Sequence, residues 1–333
     1  MRRIRLEDSS VSMKPIFTTA VTLCILLMAA LDCGRSPARP FTIGVVNDVS
    51  ILASTLAGFK KGMAEYGYVE GRDIQYIYHG VIKNDNDVID AEIKWLLSQD
   101  IDILLTLGNK ASLRAKASAK GTEIPIIIGA CVRPIEAGLI KNMSRPEGNM
   151  TGVVVSDSGP KALELMTEII PGLKKVYLPY NPADEVSVVS LIGLDKVASG
   201  QGIELVFQEV YSMEEALAAI EKLPNDIGAI FRIPSPTLDP RNGEISLAAI
   251  KRGLPVVSRV QLDETVLATF AADLSEVGRQ AARLANQIHN GIKPSDLPME
   301  ISDVYFTLNL NTAGLIGVHV PDSIIANAKT IIR

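Results

Sequence analysis

The stretch FTIGVVN at residues 41–47, followed by DVS and then ILASTLAGFKKGMAEYG at 51–67, sets the pattern of the whole chain. The first part is a short apolar, β-branched run typical of a buried strand, and the second part predicts a helix that ends at Gly67. Strands that alternate with helices of about 10–15 residues indicate βαβ units and a parallel sheet covered on both faces. The same alternation predicts further strands at 73–79, 101–107 and 123–130, and helices at 86–99 and from about 109.

A Gly/Pro/Asn-rich stretch, SRPEGNMTG at 144–152, separates this series from a second one. The second series predicts strands at 174–180, 203–209, 227–233 and 254–260, and helices at 160–170, 184–200, 213–222 and 241–252. The sequence therefore predicts an α/β fold of two similar lobes with a ligand cleft between them. Ligands of such sheets lie beyond the carboxyl ends of the parallel strands, so the loops that follow strands are the candidate binding segments.

The composition excludes several classes of protein. The 333 residues are 47% hydrophobic and 21% charged, which excludes a disordered chain, and three cysteines are too few for a miniprotein built on disulfides. The first 40 residues carry six basic and three acidic side chains, which leaves 27 basic and 35 acidic for residues 41–333, a net charge of −8. An acidic body with only 5% aromatic residues argues against nucleic acid as a partner.

The N-terminus has the features of an export signal. Residues 15–31 (PIFTTAVTLCILLMAAL) carry no charge and follow Lys14. The run is shorter than the roughly 20 apolar residues that a membrane-spanning helix needs, and it fits the apolar region of a secretory signal. We therefore expect a signal peptide at 1–33, with Met13 as an alternative start, and a tether at 34–40.

Cys33 follows this apolar run and resembles the lipidated cysteine of a bacterial lipoprotein, although Asp32 departs from the small residue that usually precedes it. The alternative is cleavage near Ala38. Either route exports the body of the protein to the periplasm or to the outer surface of the cell membrane. A lipid on Cys33 would be its attachment to the membrane.

The chain contains no familiar catalytic motif. It lacks HExxH, CxxC, a P-loop and GxSxG, and no GxGxxG follows the first strand. The three histidines show no metal-ligand spacing; they are His79, His289 and His319. Cys131 is the only thiol after residue 40, at the end of an apolar strand, where a buried, inert thiol is the expected state. We expect no enzymatic activity, no cofactor and no metal.

Four segments of the body, in this order along the chain, are similar to those of a known family. They are GFKKGMAEYGYVEGRDIQYIYHG (58–80), PIIIGACVRPIEAGLIKNMSRPEGNMTGV (125–153), LPYNPADEVS (178–187) and the closing region 273–328, which contains GRQAA. The family consists of substrate-binding proteins of bacterial ABC importers and includes tryptophan- and tyrosine-type binders. The resemblance covers about residues 41–330.

The resemblance implies a type I periplasmic binding-protein fold, with two Rossmann-like lobes joined by three crossings near 150, 267 and 296. Lobe 1 would then comprise 41–150 plus 268–295, and lobe 2 would comprise 151–267 plus 296–333. The family also implies a monomer that captures a small polar ligand, an amino acid or a related compound, by closure of the lobes. The ligand would be delivered to an ABC permease that works with a separate ATPase.

Polar residues in the loops after strands are the candidates for ligand contact. The turn at 106–111 resembles the Gly-Thr-Pro-Ala segment of the family, and Asp273 lies where the family often has an aspartate. Free N–H groups at the start of a helix can hold a ligand carboxylate, whereas ordinary turn and capping chemistry is the alternative for every candidate. The candidates are Asn47, Asp48, Thr106, Gly108, Asn109, Ala111, Ser156, Asp157, Asn181, Ser187, Ser235 and Asp273.

Arg133 is a further candidate because it departs from the family, which usually has Asp-Pro where this chain has Arg133-Pro134. A guanidinium fork suits a carboxylate or phosphate, so an organic anion held by Arg133 is an alternative ligand. In the other interpretation Arg133 points to solvent or pairs with Glu136. Few aromatic residues lie in the candidate loops, which argues against an aromatic ligand. The competing functions are an exported ligand-sensing domain for a receptor and an exported two-lobe enzyme.

Overall fold

A computed structural model of the chain describes residues 39–146, 148–260 and 265–333. Residues 41–333 form one compact unit. The predicted signal peptide with Met13 and Cys33, and nearly all of the predicted tether, lie outside the described residues. No helix in the described part of the chain is both long enough and apolar enough to cross a membrane.

Strands and helices alternate along most of the described chain. In chain order the strands are β1 (Phe41–Asn47), β2 (Ile74–Ile77), β3 (Ile103–Leu107), β4 (Ile126–Cys131), β5 (Met150–Val154), β6 (Lys175–Tyr180), β7 (Glu204–Glu209), β8 (Ala229–Arg232), β9 (Val256–Ser258), β10 (Ala268–Ala271), β11 (Glu300–Ile301), β12 (Tyr305–Asn309) and β13 (Thr330–Ile332). The α-helices are α1 (Ala53–Glu65), α2 (Asn86–Leu97), α3 (Asn109–Ser118), α4 (Gly159–Ile169), α5 (Glu185–Leu191), α6 (Leu194–Gly200), α7 (Met213–Glu221), α8 (Asn242–Lys251), α9 (Leu274–His289), α10 (Leu310–Leu315) and α11 (Asp322–Asn327). Short 3-10 helices lie at Ser50–Leu52, Asp239–Arg241 and Pro294–Asp296.

The strands form two sheets, and each sheet with its helices is one lobe. The first sheet has the order β11-β5-β4-β3-β1-β2, with parallel pairs throughout. The second has the order β13-β12-β10-β9-β8-β6-β7, and only its β10–β12 pair is antiparallel within the described residues. β1 and β3 are buried along their whole lengths, because apolar side chains pack on both faces of the first sheet. The predicted fold class is confirmed.

The chain passes between the two sheets three times. It leaves the first sheet after β5, returns to it after β10, and leaves it again between β11 and β12. By sheet membership the crossings therefore lie at 155–158, 272–273 and 302–304, each a few residues later than the positions near 150, 267 and 296 given by the resemblance. The shift arises because β5 and β11 belong to the first sheet and β10 belongs to the second.

Two glycines let α1 and α9 pack closely against each other. A Cβ added to Gly278 would lie 2.0 Å from the carbonyl oxygen of Thr55, and one added to Gly58 would lie 2.0 Å from that of Ser275. Backbone atoms cannot rotate out of the way, so these two positions admit only glycine at this helix separation. Because α1 begins directly after the loop that follows β1, this contact fixes the position of that loop.

Two local features differ from the sequence-based prediction. The single helix predicted at 184–200 is two helices, α5 and α6, because Gly193 between them adopts a left-handed conformation with φ 79°. The Gly/Pro/Asn-rich stretch at 144–152 was predicted to separate the two series, yet β5 begins within it and lies between β4 and β11 in the first sheet. Local composition does not reveal a strand whose stability comes from its neighbours β4 and β11.

Candidate functional site

A cleft of about 750 Å³, including its opening to solvent, lies between the two lobes. Its described lining comes from the loops at the carboxyl ends of strands in both sheets, as expected for this architecture. No aromatic side chain is among the described lining residues. The apolar part of the lining includes Val49, Ile51, Leu52, Val186, Pro234, Pro236 and Leu274. The charged and amide side chains are Asp48, Asn84, Asn109, Lys110, Glu185, Asp239 and Arg259.

The two lobes also contact each other beside the cleft. The 3-10 helix Ser50–Leu52 of the first lobe meets the 3-10 helix Asp239–Arg241 of the second, and α3 meets α5. A ligand in the cleft is therefore within reach of side chains from both lobes at once.

Gly108 makes the turn from β3 into α3 and lines the cleft. Its φ of 92° lies in the left-handed region, which favours glycine, and an added Cβ would approach Leu52 to 3.2 Å. The turn places Asn109 against the loop after β4: its Nδ2 donates to the carbonyl oxygen of Val132 at 2.9 Å, and its Oδ1 accepts from the Val132 N–H at 2.8 Å. Asn109 therefore ties two cleft loops of the first lobe together.

Asp48 follows β1 and is almost fully buried at the wall of the cleft. Its Oδ2 accepts a hydrogen bond from Asn84 Nδ2 at 2.7 Å, and Asn84 Oδ1 accepts one from Lys110 Nζ at 2.7 Å. Its Oδ1 is buried and accepts no hydrogen bond from another residue of the described chain. Burial raises the pKa of Asp48 to about 6; its own backbone N–H and Lys110 lower this pKa, whereas Glu185 and Asp184 raise it.

Arg259 follows β9 and brings a buried cation to the second-lobe wall of the cleft. Its side chain is 2% exposed, and its Nη2 lies 2.7 Å from Asp157 Oδ1. Its Nε donates to Ser158 Oγ at 3.4 Å. Nη1 is buried and makes no hydrogen bond within the described residues. Burial lowers the pKa of this guanidinium, and Asp157 opposes that change by raising it.

Asp157, at the first crossing, is shared by two arginines. Besides Arg259 it contacts Arg133 of the first lobe, whose Nη2 lies 2.5 Å from Asp157 Oδ2. Arg133 also pairs with Glu136 at 3.3 Å and has a left-handed φ of 44°. Burial alone would raise the pKa of Asp157, but Arg259, the Gly159 N–H and Arg133 together hold it below its usual range. Neither Arg133 nor Asp157 is among the residues that line the cleft, and the cation that does line it from this network is Arg259.

The other first-lobe candidates are not among the residues that line the cleft. The amide of Asn47 accepts from the Val49 N–H at 3.0 Å, and Thr106 bonds Ser112 at 2.8 Å. Ala111 is buried in the core on the α2/α3 side of the sheet. Of the first-lobe candidates, Asp48, Gly108 and Asn109 line the cleft. Ligand contact by any of these residues stays a prediction.

The remaining candidates form hydrogen bonds within or next to the second lobe. Asn181 Nδ2 donates to Thr237 at 2.8 Å, Ser187 Oγ donates to the Pro234 carbonyl at 2.8 Å, and Ser235 Oγ donates to Asp184 at 2.6 Å. At the crossings, the Ser156 N–H donates to Ser302 at 3.3 Å, and Asp273 caps α9 by accepting from Ser275 at 2.9 Å. These bonds shape the loops that carry the lining, and the residues themselves are not part of it.

Sequence reasoning missed several charged lining residues, of which Arg259 and Asp239 are the most buried. Asp239 accepts hydrogen bonds from Arg232 Nη2 at 3.1 Å and from the Ser235 N–H at 3.0 Å, and burial raises its pKa to about 7. The predicted strand 254–260 placed Arg259 inside a strand, whereas β9 ends at Ser258. The available signal was an arginine at the end of an apolar run, because arginine is rarely fully buried unless it is paired. Within the described residues no cluster of side chains has the composition of a metal site.

Residues 43–332 match the sequence profile of the family described as ABC transporter substrate binding protein. The chain belongs to this family. Proteins of the family act outside the cytoplasm, bind small molecules and work with components of ABC transporters. The resemblance drawn from the sequence is thereby confirmed.

Individual members of the ABC substrate-binding family are similar to this chain. The tyrosine-binding protein of Clostridioides difficile (strain R20291) is 26% identical over 249 residues, which are 74% of this chain and 71% of the relative. A structure of an ABC domain from Streptococcus pneumonia in complex with L-Trp has a TM-score of 0.78 at 21% identity and covers 87% of this chain and 99% of that one. The ligand-free, open structure of a Clostridium difficile substrate-binding protein with adhesive properties has a TM-score of 0.69 at 23% identity, covering 89% and 99%. At these identities the two structures show a shared fold.

Proposed function

We propose that this protein is the extracytoplasmic substrate-binding component of an ABC importer, and that it captures a small carboxylate-bearing ligand, an amino acid or a related compound, in the cleft between its lobes. The observation that carries the proposal is the guanidinium of Arg259. It lines the cleft, is buried, and keeps one nitrogen, Nη1, without a hydrogen-bond partner among the described residues.

A buried donor without a partner is costly, and a charged one more so. Asp157 already compensates one nitrogen of Arg259, at 2.7 Å. A ligand carboxylate would supply the acceptor that Nη1 lacks, in a charge-assisted hydrogen bond of the strong kind. The apolar residues of the lining would receive the rest of the ligand. This choice replaces Arg133 as the cation for an anionic group, because Arg259 lines the cleft and Arg133 does not.

Capture follows from the placement of the lining on both lobes. A ligand that contacts both lobes in the closed form and only one in the open form shifts the equilibrium by the difference between its two affinities. The closed form would then present the ligand to a permease, and no bond in the ligand would be broken. A lipid on Cys33 would hold the protein, as a monomer, at the outer surface of the membrane.

Binding can be tested by thermal shift and calorimetry with the purified protein against L-amino acids, organic acids and uncharged polyols. A ligand at 100 times its Kd adds about 2.7 kcal/mol to the stability. We expect hits among carboxylates and none among polyols. Replacing Arg259 by Met should weaken the best hit by about 10- to 100-fold, the value of a charged hydrogen bond.

The matched control is Arg72→Met, which also removes an arginine paired with an aspartate, at 2.7 Å, but on an exposed surface. It should leave affinity unchanged. The proposed contact between Arg259 and a ligand carboxylate would be refuted by either of two results. One is a best ligand without any anionic group, and the other is an Arg259→Met protein that binds as tightly as the wild type. For the importer role, uptake of the labelled hit should fall in cells that lack this protein; unchanged uptake with intact binding favours the sensor alternative.

A further inference from the structure

The first crossing, residues 155–158, contains one charged side chain, that of Asp157. Asp157 is fixed to the second lobe: its Oδ1 accepts from the Gly159 N–H at the start of α4 at 3.1 Å and lies 2.7 Å from Arg259 Nη2. Its Oδ2 lies 2.5 Å from Nη2 of Arg133, which follows β4 in the first lobe. The pair Arg133–Asp157 therefore joins a residue carried by one lobe to a residue held by the other.

Hydrogen bonds of the neighbouring residues place the boundary between the lobes just before Asp157. The Val155 N–H donates to the carbonyl oxygen of Cys131 in β4 at 2.7 Å, so Val155 moves with the first lobe. Ser158 Oγ donates to the carbonyl oxygen of Phe270 in β10 at 2.9 Å, so Ser158 moves with the second. A change in the relative position of the lobes turns the chain between these two residues and changes the separation of the salt-bridged pair.

Resting on the proposed function, we propose that the Arg133–Asp157 salt bridge is an interlobe latch, which stabilises the relative position of the lobes described here and so regulates how tightly the cleft holds its ligand. Arg133 does not line the cleft. It therefore acts on the equilibrium between lobe positions, and a change in that equilibrium alters the affinity for every ligand of the cleft by the same factor.

The backbone around Arg133 gives the first-lobe side of the latch a fixed geometry. Among the described residues, the non-glycine residues with a positive φ are Ala130, at 66°, and Arg133, at 44°. A left-handed φ in such residues costs energy and persists only where the surroundings fix it. Here Asn109 bonds both the N–H and the carbonyl oxygen of Val132, which lies between them. The guanidinium of Arg133 is thus presented to Asp157 from a firmly held loop.

The two salt bridges of Asp157 differ in their exposure to solvent. The side chains of Arg133 and Asp157 are 19% and 27% exposed, whereas that of Arg259 is 2% exposed. Dissolved ions therefore screen the latch more than they screen the pair with Arg259. Glu136, the other partner of Arg133 at 3.3 Å, is 42% exposed and lies in the same loop of the first lobe, so it adds no bridge between the lobes. The latch should consequently weaken as the ionic strength rises.

Small-angle X-ray scattering of the purified protein without ligand tests the latch, because the radius of gyration increases as the lobes separate. We expect a larger radius than that of the wild type for Arg133→Met, and a still larger one for Arg133→Asp, which sets two carboxylates against each other. Arg133→Lys keeps the charge and should restore most of the wild-type value. Raising NaCl from about 0.02 M to about 0.5 M should increase the wild-type radius and leave that of Arg133→Met unchanged.

The matched control is Arg279→Met. Arg279 also pairs with two acids, Glu65 at 2.9 Å and Glu276 at 3.4 Å, but all three residues lie on α1 and α9 of the first lobe. Its radius of gyration should equal that of the wild type at each salt concentration. Equal radii for Arg133→Met and the wild type at low salt, or a wild-type radius that salt does not change, would overturn the latch. The salt series needs no variant, so the test holds even if the substitutions at residue 133 prevent folding.

Affinity separates the latch from the proposed function. The probes are the L-amino acids and organic acids that bind in the ligand screen, measured by calorimetry. Arg133→Met should weaken all of them by one common factor of roughly 3 to 10, and unequal factors would contradict the latch. Arg259→Met with wild-type affinity would overturn the proposed carboxylate contact and leave the latch standing. Unchanged scattering by Arg133→Met would overturn the latch and leave that contact standing.

Discussion

Asp157 pairs with both Arg133 and Arg259, so removal of its charge should have two effects. The stability without ligand should fall, and the rise in Tm on addition of ligand should increase. Asp157→Asn keeps the shape and one acceptor oxygen of the side chain but removes its negative charge. The Arg259 guanidinium, 2% exposed, would then lose its partner at 2.7 Å. Breaking a fully buried pair typically costs about 3–5 kcal/mol because a buried charge is left uncompensated.

The magnitude for Asp157 is lower than that range, because its side chain is 27% exposed and water screens part of the interaction. We expect a loss of about 2–3 kcal/mol in the free energy of unfolding, or about 3–5 °C in Tm. The control is Asp226→Asn, whose carboxylate pairs with Lys175 at 2.8 Å and is 57% exposed, so its loss should have little effect on stability. Thermal and urea denaturation without ligand measure both variants.

The second effect concerns the ligand. Without Asp157, a ligand carboxylate becomes the main counter-ion of Arg259, so ligand should raise Tm more in Asp157→Asn than in the wild type. Adding Arg259→Met to Asp157→Asn should restore part of the lost stability, since neither charge is then left alone. A loss no larger than that of Asp226→Asn would refute the buried pair. A ligand-induced shift equal to the wild-type shift would refute the contact between the ligand anion and Arg259.

Three other predictions follow from the same structure. Gly278→Ala puts a Cβ 2.0 Å from the Thr55 carbonyl oxygen and should lower the free energy of unfolding by about 3 kcal/mol. Gly314→Ala, with open space around it, should leave the free energy of unfolding unchanged or raise it by at most about 1 kcal/mol. Parallel thermal melts compare the two variants. Burial raises the pKa of Asp48 to about 6 in the folded protein, so the folded protein binds more protons than the unfolded chain between about pH 4 and pH 6. The contribution of Asp48 to the free energy of unfolding should therefore increase as the pH falls through that window; urea denaturation from about pH 4 to pH 7 should show the increase, and the same pH dependence in Asp48→Asn would contradict it. Lipidated protein should partition into a detergent phase and Cys33→Ser should stay in the aqueous phase, and equal partitioning of the two would contradict a lipid on this residue.

Much of the fold could be predicted from the sequence, because parallel α/β units leave a strong local signal. β1 has the predicted bounds, and most other strands and helices of the two regular series begin and end within a few residues of prediction. The regions that were not predicted depend on contacts distant in sequence. β5 pairs with β11 across about 150 residues of chain, and the break at Gly193 depends on one backbone conformation.

The candidate site was harder to predict, because a candidate after a strand can face the cleft or support the loop beneath it. Asp48 and Asn109 both follow strands and both line the cleft, yet Asn109 uses both ends of its amide to bind Val132. Ser235 and Asn181 also follow strands and are occupied by internal hydrogen bonds. Hydrophobic periodicity and composition indicate the edge of the sheet where a ligand lies. Only the hydrogen bonds in the structure show which polar atoms are left to contact the ligand.

The two unsatisfied atoms of the cleft suggest how recognition and closure are coupled. Asp48 Oδ1 and Arg259 Nη1 are both buried without a hydrogen-bond partner among the described residues. Separation of the lobes would let water reach both groups and would remove the cost of leaving them without partners. A ligand that supplies a partner to each group would favour the arrangement in which both lobes contact it. Because a ligand shifts a two-state equilibrium only by its differential affinity, a ligand with one charge would leave the other group unpaired and would close the lobes less completely. Selectivity for the ligand and closure of the lobes would then rest on the same pair of contacts.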